Sequence, residues 1–240
     1  MKSVIFPLLT IIFLSSCGSN QGRFKKNPLD EIIKELPTNE PFTIILQDMD
    51  AQGNFVQTYY HKYRIIKGNN PNDLKELTTD WHEVSEREFN SHINDMGMEI
   101  ASRDSSGKLS KSVAPPGYSN YVGNEKYGSW RTNSGGQSFW AFYGQYAFMS
   151  SMFNMMTYPV YRSFYSDWRG NYYGTNRTYY GPSSGGRNYY GTNSRYNSSV
   201  NPNSSWSRNS SNFKNRVSSR TSRSSGYSGG LRSRSGGYGK

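Results

Sequence analysis

Residues 28–36 carry apolar side chains at helical spacing. The apolar stripe consists of Leu29, Ile32, Ile33 and Leu36. Asn27 is a favoured N-cap residue, Pro28 suits the first turn of a helix, and Pro37 follows the stripe. The pattern predicts one amphipathic helix that covers a small sheet.

Two stretches, residues 42–47 and 55–66, are rich in β-branched and aromatic residues, which is typical of strands. Residues 48–54 between them include two aspartates, Gly53 and Asn54, so they predict the loop of a hairpin. A second pair of short strands, 98–103 and 109–113, flanks a polar turn and predicts another hairpin.

Ser85 and Glu88 have the spacing of a capping box, in which the serine accepts a hydrogen bond from the amide three residues later. They predict a second helix with Phe89, Ile93 and Met96 on one face and Gly97 at its end. A short strand, 81–84, precedes it. Residues 28–130 therefore predict a small α+β domain, with an antiparallel sheet of hairpins and two short helices.

The loop Asp48-x-Asp50-x-Gln52-Gly53 resembles the first half of an EF-hand calcium loop. In that family a bidentate glutamate completes the site, and Tyr59 stands at the corresponding position here. The flanking segments also predict strands rather than helices. We therefore expect an acidic turn, and we assign no metal ligand.

Residues 131–161 form a segment without charge after Arg131. Aromatic and methionine residues recur in it at near-helical spacing: Phe139, Phe142, Tyr143, Tyr146, Met149, Phe153 and Met156. Interspersed Gly, Ser, Asn and Gln argue against a membrane span. Three interpretations stay open: packing on the domain or on a partner protein, contact with a lipid surface, and disorder.

The net charge of +11 is unevenly distributed. Residues 162–240, the basic tail, hold 11 arginines and two lysines against a single acid, Asp167. The preceding 161 residues are close to neutral, with 15 basic and 16 acidic side chains. This asymmetry indicates that the basic tail has a separate role.

The basic tail consists mainly of Gly, Ser, Asn, Arg and Tyr. The hexapeptide Asn-Tyr-Tyr-Gly-Thr-Asn occurs at 171–176, the first repeat, and again at 188–193, the second repeat. A partial copy, Thr-Tyr-Tyr-Gly, occupies 178–181. Because few aliphatic side chains are present to offset an ordering cost of about 1–2 kcal/mol per residue, we expect the tail to be disordered.

Guanidinium groups bind phosphates and carboxylates bidentately and stack on tyrosine rings. The candidate polymer-binding residues are Arg162, Arg169, Arg177, Arg187, Arg195, Arg208, Arg216, Arg220, Arg223, Arg232 and Arg234. The expected partners are anionic polysaccharide or lipopolysaccharide. Self-association through Arg–Tyr contacts is an alternative, and so is a solvated spacer that has no dedicated ligand.

The amino terminus has the pattern of an export signal. Lys2 precedes an apolar run, residues 4–14, which is too short to span a bilayer. Leu14-Ser15-Ser16-Cys17 then resembles the lipobox of bacterial lipoproteins. The resemblance implies that Cys17 is lipidated, that residues 1–16 are removed, and that residues 17–27 tether the domain to a membrane. In the enteric members of the family that it resembles, an aspartate after the cysteine goes with retention at the inner membrane, so Gly18 at that position implies the outer membrane of the bacterial envelope.

Cys17 is the only cysteine, so no intramolecular disulfide competes for it. The alternative is a plain secretory signal with an unrelated cysteine. An exported chain rarely meets cellular RNA, and we therefore do not expect intracellular nucleic acid as a partner.

No common catalytic motif is present. The histidines His61, His82 and His92 lack the spacing of a metalloprotease helix, and the chain has no nucleophile elbow, phosphate loop or dinucleotide fingerprint. We expect no enzyme activity, no cofactor and no metal. The sequence favours a non-enzymatic envelope lipoprotein that binds anionic polymers or itself. An accessory subunit of a membrane complex, docking through residues 139–156, is the alternative, and an enzyme of unrecognised class is the third possibility.

Overall fold

The computed structural model describes residues 26–53, 56–70 and 73–225. It confirms the predicted α+β class. The helices are α1 (Pro28–Glu35), α2 (Glu86–Ser91), α3 (Phe148–Met152), α4 (Arg162–Asn171), α5 (Arg195–Val200), α6 (Ser205–Arg208) and α7 (Ser211–Ser225). The strands are β1 (Phe42–Gln52), β2 (Thr58–Lys67), β3 (Lys75–Thr78), β4 (His82–Val84), β5 (Glu99–Arg103), β6 (Leu109–Ser110), β7 (Gly128–Thr132), β8 (Ser138–Phe142), β9 (Ser183–Ser184) and β10 (Arg187–Asn188).

Both predicted helices of the amino-terminal half are confirmed with their caps. The Asn27 side chain accepts a hydrogen bond from the amide of Leu29 at 3.0 Å, and Ser85 Oγ accepts one from the amide of Glu88 at 3.1 Å. Helix α2 ends at Ser91, earlier than predicted. Gly97, with a φ of 76°, instead donates its amide to the carbonyl of Leu46 at the entry to β5.

A six-stranded antiparallel sheet forms the centre of the fold, in the order β3-β2-β1-β5-β6, with β4 also paired to β2. The predicted loop 48–54 is wrong in its first part, because β1 continues to Gln52. A bulge between Leu46 and Asp48 shifts the register and lets the strand continue through the acidic residues. Strand β5 pairs only with residues 42–45 of β1, which leaves the later half of that edge to be covered by other elements.

Two cores lie on opposite faces of the sheet. Ile44 and Ile45 belong to different cores, as do Ile65 and Ile66, and neighbouring residues of a strand point to opposite faces. The helical core lies under α1 and α2 and includes Leu29, Phe89 and Met96. The aromatic core on the other face includes Tyr118, Tyr121, Tyr127, Trp140, Tyr146, Phe153, Trp168, Tyr179, Tyr190 and Tyr196.

Residues 131–161 pack on the sheet. Of the three interpretations left open by the sequence, packing on the domain is therefore the one that the structure shows. Their early part forms the hairpin β7–β8 rather than the helix suggested by the near-helical spacing. Met149 and Phe153 are almost fully buried in the aromatic core. The hairpin is favoured because Trp130 and Trp140 pair directly across it, with ring centroids 5.2 Å apart in an edge-to-face arrangement.

The expectation of a disordered tail is wrong for residues 162–217, and residues 226–240 lie outside the described residues. The tail places Trp168 and Tyr190 in the aromatic core and Trp206 and Val217 in the helical core. Tyrosine and tryptophan rings supply the apolar area that aliphatic side chains do not. Both cores therefore contain residues from beyond position 161, and the boundaries at 130 and 161 do not separate them.

Side-chain hydrogen bonds anchor the tail where it crosses the edge of β1. Asn201 Nδ2 donates to the carbonyl of Gln47 at the bulge. The Asp48 carboxylate accepts hydrogen bonds from Ser204 Oγ and the Ser205 amide, each at 2.7 Å, and thereby caps α6. Helix α6 covers the part of the β1 edge that β5 leaves open.

Candidate anion-binding surface

The predicted polymer-binding arginines of the ordered tail lie at the surface. The side chains of Arg162, Arg169, Arg177, Arg187, Arg195, Arg208 and Arg216 are all exposed. Arg220 and Arg223 belong to α7, but their side chains lie outside the described ones, as do Arg232, Arg234 and Cys17 altogether.

These seven arginines take part in no ion pair with another described residue. Asp167, the only acid of the tail, accepts a hydrogen bond from Asn171 Nδ2 at 2.8 Å. The ion pairs present involve other side chains, such as Arg64 with Glu76 and Lys67 with Glu40. The guanidinium charges of the tail are therefore available to an external anion.

Four of these guanidinium groups lie over aromatic rings. The Cζ of Arg169 lies 3.9 Å from the ring centroid of Tyr173, and that of Arg177 lies 4.7 Å from Tyr172. Two longer contacts place Arg162 at 6.0 Å from Trp130 and Arg216 at 5.9 Å from Phe213. A stacked guanidinium keeps its N–H groups free at the edge of the plane, which suits a bidentate contact with phosphate or carboxylate.

Helix α4 sets the spacing on this surface. Trp168 is buried against Tyr118 and Tyr165, with ring centroids 5.4 and 5.5 Å away. Arg162 and Arg169 are seven residues apart, or about two turns, and so lie on the same exposed side of the helix. Burial of Trp168 thus fixes the orientation of both arginines.

The two identical repeats occupy different environments. Tyr173 of the first repeat is 42% exposed beneath Arg169, whereas the equivalent Tyr190 of the second repeat is 2% exposed. Gly191 allows the close packing of the second copy, since a Cβ at this position would meet the carbonyl oxygen of Asn94 at 2.6 Å, whereas a Cβ at Gly174 of the first copy would meet nothing within 4 Å. The first repeat belongs to the surface and the second to the core.

The second repeat and the partial copy also bind the loop after α2. Thr192 Oγ1 donates to the carbonyl of Ile93 at 2.7 Å, and Tyr180 Oη donates to Asp95 Oδ1 at 2.7 Å. His92 Nδ1 lies 2.9 Å from the other carboxylate oxygen of Asp95. Burial and the adjacent Asp95 carboxylate raise the pKa of Tyr180. These contacts fasten the tail to the domain, and they place no nucleophile beside His92.

Two further buried groups have shifted pKa values. Burial raises the pKa of the Glu99 carboxyl to about 7, although the amide of Gly117 donates to it at 3.2 Å. Burial, with a smaller contribution from His92, lowers the pKa of His61 to about 3. His61 stacks on Phe89 at 5.6 Å between ring centroids, so its position is that of a core residue.

Within the described part of the chain, no group of three or more His, Cys, Asp or Glu side chains is arranged to hold a metal ion. In the same residues, no helix has the length and apolar character that a bilayer crossing requires. Comparison with known proteins found no matching family model, curated protein or solved structure.

From the sequence, the arginines could be named as candidates, but the residues that anchor the tail to the sheet were missed. Asp48, Ser204 and Asn201 anchor the tail, and none of them was singled out as a contact between tail and sheet. Two signals were present in the tail: its high tyrosine and tryptophan content, and serine residues at positions 194 and 204, where each caps a short helix.

Proposed function

We propose that this chain is a non-enzymatic lipoprotein of the bacterial envelope and that the exposed arginines of its tail bind anionic surface polymers. The observation that supports this most strongly is the set of seven exposed arginines without carboxylate partners among the described residues, four of which lie over aromatic rings. Lipopolysaccharide phosphates and acidic polysaccharides present the anions that such groups bind.

The ordered tail changes the expected mode of binding. A guanidinium group that is already stacked loses less side-chain entropy when it binds an anion. The arginines are nevertheless distributed over several short elements, so the surface responds to the density of negative charge more than to one ligand shape. Binding weakens steeply as salt rises, because released counterions contribute to it.

The test measures binding of the detergent-solubilised protein to lipopolysaccharide, an acidic polysaccharide and DNA at several salt concentrations. Replacement of the seven arginines by glutamine weakens binding strongly, and replacement by lysine reduces it less than about fivefold, since charge is kept and only stacking geometry is lost. For DNA, each phosphate-contacting arginine removed lowers the salt slope by about 1. Equal binding by the glutamine variant and the parent would exclude this function.

The membrane anchor rests on the lipobox at residues 14–17. Mass spectrometry of the mature amino terminus tests it: a diacylated Cys17 is expected, and Cys17→Ser leaves an uncleaved precursor without lipid. An unmodified amino terminus at another residue would remove the anchor from the proposal.

Docking to a membrane protein through residues 139–156 is the second candidate. Its support is local exposure of apolar side chains, namely 41% for Phe148 and 81% for Met156, next to the buried Met149 and Met155. Affinity purification from native membranes, with the parent and with a Phe148→Ser/Met156→Ser variant, tests it. A stoichiometric partner that the variant loses would favour docking over polymer binding.

A further inference from the structure

A cleft of about 590 Å³ lies between the loop after α2, the hairpin β9–β10 and the carboxy-terminal helices. Its wall includes Asn94, Arg187, Asn188, Asn193 and Lys214. The volume is within the range of small-molecule sites, about 300–1,000 Å³. Apart from two tyrosines and a glycine, every lining residue carries a polar or charged side chain.

The hairpin that presents Arg187 is well defined. Gly185 and Gly186 both have positive φ, 59° and 75°, as a two-residue type I′ turn requires. Behind the turn, the amide of Tyr190 donates to the carbonyl of Tyr180 at 2.9 Å. The buried Tyr190 ring therefore holds the hairpin against the aromatic core, and Arg187 of the hairpin lines the cleft.

The charge of the cleft is positive. Arg187 and Lys214 line it, and none of its lining residues is an acid. Asp95 lies behind Tyr180 and is occupied by the tyrosine hydroxyl and His92. Lys214 Nζ donates to the carbonyl of Ser207 at 3.0 Å, which fixes the ammonium group and leaves two of its three N–H groups for a ligand.

The polar groups of the wall fall into two classes. Thr192, Ser194 and Ser198 already form hydrogen bonds within the fold. The side-chain amides of Asn94, Asn188 and Asn193 form none with another described residue. Each amide has a donor and an acceptor, which match the hydroxyl groups of a sugar, whereas the ammonium and guanidinium groups match an acidic substituent.

We propose that this cleft binds one anionic sugar ring, with its carboxylate or phosphate at Lys214 and Arg187 and its hydroxyls at the free asparagine amides. This proposal rests on the proposed function and deepens it. The cleft binds one acidic sugar unit of the anionic polymer, and the sugar is therefore the part of the polymer that is recognised by shape. The exposed arginines outside the cleft then add affinity that depends on charge alone.

The test titrates the protein with four probes at constant ionic strength: D-glucuronate, glucose 6-phosphate, D-glucose and inorganic phosphate. Saturable binding of glucuronate or glucose 6-phosphate is expected, with an affinity at least tenfold higher than that of glucose or inorganic phosphate. The first two probes distinguish a carboxylate from a phosphate source. Absence of saturable binding by both, or equal affinity for glucose, would overturn the proposal.

Variants localise the binding. Lys214→Gln and Asn188→Ala are expected to weaken the anionic sugar at least fivefold, and Lys214→Arg to retain it. The matched control is Arg177→Gln, which removes an exposed arginine of the first repeat that does not line the cleft. Thermal melts of each variant identify loss of fold. Unchanged sugar binding in folded Lys214→Gln would overturn the assignment.

Polymer binding measured in parallel separates the two proposals. Lys214→Gln is expected to keep polymer affinity within about threefold, because the other arginines remain. A parent protein that binds glucuronate but no polymer would disprove the proposed function alone. A parent that binds polymer but neither anionic sugar would disprove the cleft alone.

Discussion

Ser204 Oγ donates a 2.7 Å hydrogen bond to the carboxylate of Asp48, although the two residues are 156 positions apart in the chain. The carboxylate also accepts from the amide of Ser205 at 2.7 Å, so one buried acid of β1 holds the start of α6. Together with the bond from Asn201 to the Gln47 carbonyl, this carboxylate fixes the tail to the sheet where the edge of β1 is open.

Asp48→Asn tests this anchor. The amide keeps the shape of the side chain but loses a charged acceptor, and hydrogen bonds to charged groups contribute about 1.5–3 kcal/mol. We expect the free energy of unfolding in urea to fall by about 2 kcal/mol. Asp50→Asn is the matched control: its bonds to Ala51 and Gln52 are local, and its cost should stay below about 1 kcal/mol. Equal losses in both variants would contradict the anchoring role.

Equivalent tyrosines of the two repeats should respond differently to truncation. Tyr190→Ala removes a ring buried in the aromatic core, whose hydroxyl lies 3.2 Å from that of Tyr118, and should cost about 3–5 kcal/mol. Tyr173→Ala should cost less than about 1 kcal/mol, yet weaken polymer binding because Arg169 loses its stacking partner. Denaturation and polymer titration of both variants measure the two effects. Similar losses of stability in the two variants would contradict the assignment of one tyrosine to the core and the other to the surface.

Glu99 should make the protein less stable as pH rises. The folded state keeps its proton up to a pKa of about 7, whereas an exposed glutamate releases it near 4.5. Between these values the unfolded chain binds fewer protons, so stability falls by about 3 kcal/mol from this group. Glu99→Gln removes the effect. The stability difference between variant and parent should therefore grow from pH 4.5 to pH 7 and then stay constant.

Urea denaturation at half-unit pH steps measures this difference. Glu125→Gln, which alters an exposed acid, serves as the control and should follow the parent curve. A pH-independent gap between Glu99→Gln and the parent would show that the buried carboxyl does not change its protonation on unfolding.

His61 should have the opposite effect at lower pH. The folded state excludes its proton down to a pKa of about 3, while the unfolded chain accepts one near 6.5. Stability from this group is therefore lost as pH falls from 6.5 towards 3, by up to about 5 kcal/mol. His61→Phe keeps the stacking on Phe89 and removes the acid-sensitive step. Parallel acid-unfolding curves for parent and variant would show that His61 does not take up a proton on unfolding.

The sequence was sufficient for elements whose signals are local. Asn27 and Ser85 cap the helices that they were expected to cap, and the hairpin β5–β6 lies at the predicted turn. The strand pattern predicted β1 and β2, but not the bulge that carries β1 through Asp48, because a bulge depends on what covers the edge.

The folded conformation of the tail could not be predicted from its composition alone. Its ring contacts are non-local: Tyr190 meets Tyr118, and Trp206 meets Phe89. Asparagine and serine, which usually indicate loops, here donate to carbonyl groups and carboxylates that are distant in sequence, as Asn201 does to Gln47. The exposure of the arginines could be predicted because exposed charges need no tertiary partner, whereas the cleft required Lys214 and Asn94 to be brought together by the fold.

The helical core extends from Leu29 to Val217, which bears on when it can be completed during synthesis. Residues at both ends of that span pack together, so the core is incomplete until residue 217 is available. Contacts of such long sequence separation slow folding, because much of the chain must be ordered before they form. The last residues of this core, Trp206 and Val217, lie near the end of the described chain, so the part of the β1 edge that α6 covers stays open until α6 has been made.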